Sequence, residues 1–298
     1  MNTNNKSAPK TNDPPPSSSA PNKQTRQQTL KEKAKALTDY ARIALFLQEK
    51  KVVAVAGEKG ANCAKSFSAD KLIDFVRMLE SQEHFTLGGV YDTDLSNPTT
   101  ALYYGSELEV RRSIFFTEDK ENNSTSDELI EQIVINLVSP LLLDTPSQFF
   151  RSFYHSYTEG GLKDTALEYG ISFLFFYVCP PDREIVHQFL NILTKLETTP
   201  IYWVLVKNLF RSTKAEWEEL LKEKAICSTL KKYQVVEMYL PELKRPEITM
   251  IERQKLCLSK AIAECPTLVG KTRLLRYQRE CHAEFTRVFL ELMKLHEQ

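Results

Sequence analysis

The chain has 298 residues, 42% of them hydrophobic, enough for one large α/β domain or two small ones with a real core. Thirty-nine Lys and Arg offset thirty-nine Asp and Glu, so no global charge attracts nucleic acid and any such contact has to be local. Nine glycines, about 3% against a usual ~7%, argue against a turn-dense all-β fold and against sites built from many glycines.

Residues 1–28 are polar, with Pro14, Pro15 and Pro16 followed by three serines, and read as a disordered tail without an apolar signal segment. No run of ~18 uncharged apolar residues predicts a spanning helix. Six cysteines (Cys63, Cys179, Cys227, Cys257, Cys265, Cys281) lack Cys-x-x-Cys spacing and read as the reduced thiols of a cytoplasmic protein. From Leu30 to Gln48, Leu37, Tyr40, Ala41, Ala44, Leu45 and Leu47 recur at helical spacing.

An alternation follows. Val52 to Ala56 predicts a strand ending at Gly57, and Leu72, Ile73, Phe75, Val76 and Leu79 a helix after Ser68. Phe85 to Tyr91 predicts a strand ending at Asp92. Residues 117–126 read as a polar loop, with Ser126 capping a helix that carries Leu129, Ile130, Ile133, Val134 and Leu137. Leu141–Leu143 and Phe173–Val178 predict strands. A helix follows Pro180-Pro181, and Ile201–Val206 predicts a strand ending at Asn208. Thr213 with Glu216 forms a capping-box pattern, and Val235–Leu240 is the last strand. Short continuous apolar strands between helices predict a mostly parallel sheet covered by helices on both faces, a three-layer α/β/α fold. Residues 29–262 would form this domain, with 263–298 a C-terminal helical extension. Ligands of such sheets bind at the carboxyl ends of the strands.

The first strand leads into Gly57-Glu58-Lys59-Gly60-Ala61-Asn62-Cys63-Ala64-Lys65-Ser66. A strand, a loop of small residues and Lys-Ser at a helix start is the layout of a phosphate-binding loop. Backbone N–H groups around Gly57, Gly60, Asn62 and Ala64 would cradle phosphates, Lys65 would neutralise them and Ser66 would hold Mg²⁺. The regular pattern G-x-x-x-x-G-K-[ST] is not met, since Lys59 and Ala64 stand where glycines belong. The second strand ends in Asp92-Thr93-Asp94, which suits water-mediated Mg²⁺ binding, with a turn carrying an Asx cap as the structural alternative. Asp144-Thr145-Pro146 has the layout of a Walker-B aspartate.

KVVAVAGEKGANCAKSF, GGVYDTDLSNPTTALYYG and PLLLDTPSQ, in that order, resemble the ParA/MinD-type deviant-Walker P-loop ATPases, and most closely the TraL/StbB-like plasmid transfer and stability proteins. TPIYWVLVKNLFRS and YLPEL resemble later strands of the same family, and the likeness covers roughly residues 50–262. The resemblance implies ATP and Mg²⁺ as cofactors and a homodimer acting with plasmid transfer or segregation proteins. Lys65 and Ser66 match the phosphate lysine and metal hydroxyl, and Lys59 the lysine that reaches a partner's nucleotide. Asp92 and Asp94 match the acidic pair that organises metal and water, Asp144 the Walker-B aspartate and Asn208 the adenine-side asparagine. The family loop is one residue shorter and carries glycines where Ala61 and Ala64 stand, each adding a Cβ where backbone approaches phosphate. Two functions follow: an ATP-dependent dimerisation switch and candidate ATPase, or a catalytically degenerate scaffold for protein–protein contacts.

Three further signals read as structural. Gly270-Lys271-Thr272 mimics a phosphate-loop ending but reads as a helix connection. Lys271, Arg273, Arg276 and Arg279 lie on one side of the last helix, a surface face that admits weak non-specific DNA contact. Trp203, Trp217 and the Phe173, Phe175, Phe176 cluster read as core, and His155 as a core or surface residue.

Overall fold

The computed structural model describes residues 39–57, 65–83, 85–105, 107–113, 115–116, 124–136, 138–196, 200–210 and 212–297, and residues 39–298 form one compact unit. Seven strands, β1 (Lys51–Ala56), β2 (Gly89–Asp92), β3 (Val110–Arg112), β4 (Leu141–Asp144), β5 (Ser172–Cys179), β6 (Ile201–Asn208) and β7 (Val236–Leu240), make a single sheet. Its order is β3-β2-β4-β1-β5-β6-β7, and every neighbouring pair is parallel. Around it run α1 (39–48), α2 (Lys65–Glu83), α3 (Thr99–Tyr104), α4 (Ser124–Val134), α5 (Phe149–Thr158), α6 (Leu162–Tyr169), α7 (Arg183–Lys195), α8 (Lys214–Leu220), α9 (Lys224–Lys232), α10 (Arg245–Gln254), α11 (Leu258–Glu264) and α12 (Leu268–His296).

The continuous apolar strands are explained by this layering, because alternate side chains enter two different cores. Val53 and Val55 of β1, with Leu174, Phe176 and Val178 of β5, pack under α1, α2, α10, α11 and α12. Val52, Ala54 and Ala56, with Phe173, Phe175 and Tyr177, pack under α4 to α9. Trp203 is 4% exposed and Trp217 fully buried, both core residues as expected. The capping box at α8 is present, with Thr213 and Glu216 each bonding the other's backbone N–H.

The sheet's edges are closed differently. Arg287 of α12 donates to the Glu237 carbonyl of edge strand β7 at 2.7 Å, while β3 is short and carries exposed Arg111 and Arg112. α12 is therefore not a free extension: Leu274, Tyr277, Phe285, Phe289 and Leu292 belong to the main core.

Four boundaries differ from the sequence expectation. α2 begins at Lys65, as the Lys-Ser layout predicts and before the start that its apolar spacing implies, so Ser68 is a buried residue inside it. Only Gly89–Asp92 of the 85–91 run pairs as a strand; Leu87 N–H goes to the Glu80 carboxylate and Gly88 N–H to the Pro140 carbonyl instead. The run is apolar because Phe85 is buried, not because its backbone joins the ladder. α4 starts at Ser124, so Ser126 is not its cap. Gly270-Lys271-Thr272 lies in the first turn of α12, capped by Thr267, rather than in a connection. Residues 1–38, Leu137 and most of the 117–126 loop lie outside the described residues.

Candidate functional site at the carboxyl edge of β2, β4 and β1

The chain leaves β1 toward β2 and β3 on one side and returns through β4 to β5, β6 and β7 on the other. Strand order therefore reverses around β1, where open α/β sheets form their ligand crevice. Register brings Asp92 opposite Asp144 and Asp144 opposite Val55. Gly88 permits this close pairing: a Cβ there would lie 2.6–2.8 Å from Val138, the Ser139 nitrogen and the Pro140 carbonyl.

Lys65, the first residue of α2, donates to Asp144 Oδ1 at 2.5 Å, with side chains 12% and 1% exposed respectively. Thr100 Oγ1 of α3 donates to Asp144 Oδ2 at 2.7 Å. The Asp144 carbonyl accepts both the backbone N–H and the hydroxyl of Thr93. Thr145 fastens the next residue to the Val55 carbonyl of β1 through its N–H and its hydroxyl. Asp144 is thus held from both flanking strands and neutralised by Lys65.

Asp92 is fully buried. Its Oδ1 accepts the Asp94 N–H at 3.2 Å and its Oδ2 the Ala101 N–H at 3.0 Å. Burial raises its carboxyl from 3.8 to about 6, helped by the neighbouring Asp144 charge and opposed by the two N–H bonds and Lys65. Asp94 is half-buried; its Oδ1 accepts from Ser96 Oγ at 2.6 Å and from the Asn97 N–H at 3.1 Å, the bonding of an Asx-type turn. α3 is anchored to α2 as well, through Tyr104 Oη donating to the Asp70 carbonyl at 3.0 Å. Asp70 pairs with Lys71, both fully buried, and the Lys71 ammonium lies 3.9 Å from the centre of the Phe67 ring.

Lys65, Asp92 and Asp144 therefore converge, with Asp94 next to them and half-buried Ser66 beside Lys65. Gly57, buried, directly follows β1 at the same edge. Asn208 ends β6, separated from β1 by β5; it is buried and its Oδ1 accepts the Phe210 N–H at 2.9 Å. Lys59, Gly60, Asn62 and Ala64, together with Ala61, lie outside the described residues. His155 is a surface residue pairing with Glu159 at 2.9 Å. Among the described residues no group of three or more His, Cys, Asp or Glu is arranged to hold a metal ion, and the five described cysteines are free thiols. No helix of the described residues is long and apolar enough to cross a membrane.

Thr93 and Thr100 are the polar residues that sequence reasoning missed. Both fall inside the Asp-Thr-Asp segment and its sequel, but a threonine carries no marker of which carboxylate it will meet. Chemically, the edge offers one ammonium, three carboxylates and the start of a 19-residue helix. That set can bind an anion through Lys65 and the α2 N-terminus, and its oxygen-only donors suit a hard cation. No family model matches the chain, and no curated protein matches it.

Proposed function

We propose that the chain is a nucleotide-dependent switch of the ParA/MinD type, binding ATP with Mg²⁺ at the carboxyl edge of β1, β4 and β2. The observation that carries this reading is the meeting of Lys65, at the start of the helix after β1, with Asp144 at the end of the adjacent strand, 2.5 Å apart. In a phosphate-binding site those positions belong to the cation that neutralises phosphate and the carboxylate that supports the metal. The hard oxygen donors of Ser66, Asp94 and Asp144 fit Mg²⁺, which when bound would neutralise phosphate charge. Lys65 would exchange Asp144 for phosphate oxygens. Asp92, with both oxygens on backbone N–H groups, holds the 93–101 segment in place, and Asp94 is the member of the pair left at the crevice. Dimerisation, plasmid transfer or partition partners, a cytoplasmic site of action and the base-side role of Asn208 belong to the same proposal.

A second reading, a scaffold that has lost turnover, is favoured by one observation: both oxygens of Asp92 and both of Asp144 already have internal partners. Thermal unfolding with and without Mg-ATP separates the two. Ligand at 100 times its Kd stabilises by ~2.7 kcal/mol, a rise of roughly 5–10 °C for a unit of this size. Lys65→Ala should abolish that rise. An unchanged Tm at millimolar Mg-ATP, or normal binding by Lys65→Ala, refutes the switch.

A further inference from the structure

Two surfaces packed on opposite faces of the sheet carry charges of opposite sign. The first is a groove of about 420 Å³ between α4 and α6. Asp127, Ile130, Glu131, Val134 and Ile135 supply one wall and Leu162, Thr165, Glu168 and Tyr169 the other. These are single faces of each helix, at i, i+3, i+4, i+7 and i+8 on α4 and its end. Its lining is mixed: apolar Ile130, Val134, Ile135 (70% exposed) and Leu162, with Tyr169 (43% exposed), stand beside three carboxylates, Asp127, Glu131 and Glu168.

The second surface is the start of α12. Leu268, Thr272, Leu275 and Arg279 form one exposed stripe at i, i+4, i+7 and i+11, flanked by Lys271 and by Arg276, whose guanidinium pairs with Glu280 of the same helix at 2.7 Å. Leu268 is 82% exposed, Val269 61% and Leu275 40%, while the opposite side of the same turns (Gly270, Leu274, Tyr277, Cys281) is buried. A basic, amphipathic helix face is the complement that an acidic apolar groove accepts.

We propose that the chain associates head to tail with further copies of itself, the exposed first turns of α12 in one copy lying in the acidic α4–α6 groove of the next. A single copy cannot satisfy both surfaces, because α12 packs in one core layer and α4 and α6 in the other. The contact is heterologous, so each added copy leaves one groove and one helix face free and the assembly extends. The start of α12 lies beside the start of α2, with the Tyr277 ring centre 6.2 Å from that of Phe67, but neither surface includes Lys65, Asp92, Asp94 or Asp144, so the inference does not rest on nucleotide binding.

Sedimentation velocity of the full chain without nucleotide tests it, using Ile135→Asp in the groove and Leu268→Asp on α12. Both positions are exposed, so folding is retained and circular dichroism checks it. The wild-type sedimentation coefficient should rise with protein concentration, and the rise should shrink as salt shortens the Debye length below ~10 Å. Each variant alone should lose the rise. An equimolar mixture should give one species of two copies and nothing larger, because only one intact groove and one intact helix face remain per pair. A wild type monomeric at every concentration, a variant that assembles like wild type, or a mixture that stays monomeric or grows past two copies overturns the proposal. Binding of an unrelated basic amphipathic peptide by a monomeric wild type gives the groove to another occupant and overturns it as well.

Discussion

The Lys65–Asp144 pair is the interaction on which the candidate site turns, and a double-mutant cycle weighs it. At 2.5 Å and an effective dielectric of about 20, the Coulomb attraction is ~6–7 kcal/mol. Desolvating the ammonium and the carboxylate offsets most of that. Breaking one side is a different matter. Asp144→Asn leaves an ammonium only 12% exposed without its counter-charge, and Lys65→Met leaves a carboxylate only 1% exposed with Thr100 as its remaining side-chain donor. Each single change should cost about 3 kcal/mol, at the lower end for buried pairs because Lys65 keeps some access to water. The double variant should cost about 3–4 kcal/mol rather than the sum, a coupling of roughly 2–3 kcal/mol. Urea unfolding with unchanged m-values is the assay, and each single variant should melt roughly 6–12 °C lower. Single-variant costs under ~1 kcal/mol, or additivity within ~0.5 kcal/mol, would show that the two groups do not depend on each other.

Three further outcomes are expected. Gly88→Ala places a Cβ 2.7–2.8 Å from backbone atoms of Ser139 and Pro140, so chemical denaturation should show a loss of about 2 kcal/mol or more; an unchanged midpoint contradicts the close approach. Asp92 ionises at about 6 in the fold against 3.8 unperturbed. The protonated acid is the form the fold favours, so its contribution is full below pH ~4 and is lost as pH rises through about 6. Relative to Asp92→Asn, the wild type should therefore lose on the order of 3 kcal/mol between those limits and change little above pH ~7; a flat difference refutes the burial argument. Lys51 is 1% exposed at the other end of β1, and burial lowers its pKa to about 8. Lys51→Met should stabilise the fold at neutral pH by about 2 kcal/mol, with the gain fading as pH approaches 10.5, where the unfolded lysine also loses its charge. Destabilisation at pH 7 would mean that the Glu49 and Ser172 contacts outweigh desolvation.

The layered fold was legible because its strands are buried on both faces. Runs such as Phe173–Val178 and Ile201–Val206 are continuous rather than alternating, a pattern that amphipathic strands do not give. β3 was not legible: Val110–Arg112 is a charged edge strand that leaves no apolar run. α5 was missed although Phe149, Phe150, Phe153 and Tyr157 fall at helical spacing, because the aromatic content of the stretch masks the period. Ser68 and Ser126 misled for one reason. A serine before an apolar run has the composition of a cap, yet these two lie inside helices that begin two or three residues earlier, at Ser124 and Lys65. At the site, strand-end carboxylates could be picked out by position alone, whereas their partners could not. Thr93, Thr100 and the Ala101 N–H reach Asp144 and Asp92 only through the β2–β4 register and the placement of α3.

The ion pair also sets the terms on which the proposed ligands would enter. An anion at the start of α2 has to draw Lys65 away from Asp144, leaving a carboxylate 1% exposed with one threonine hydroxyl on its side chain. That separation costs about 3 kcal/mol, close to a 100-fold loss of affinity for an anion binding alone. A cation alone meets the mirror problem, because it competes with an ammonium already bonded to Asp144. With both bound, Lys65 would face the anion and Asp144 would keep a positive partner, so neither charge would be stranded. Affinity for each should therefore rise in the presence of the other by the same factor. On this account the closed network is compatible with the switch as well as with the scaffold, and Mg-ATP binding decides between them. Two opposite buried charges this close pair with each other, and that pairing would make binding of either ligand conditional on the other.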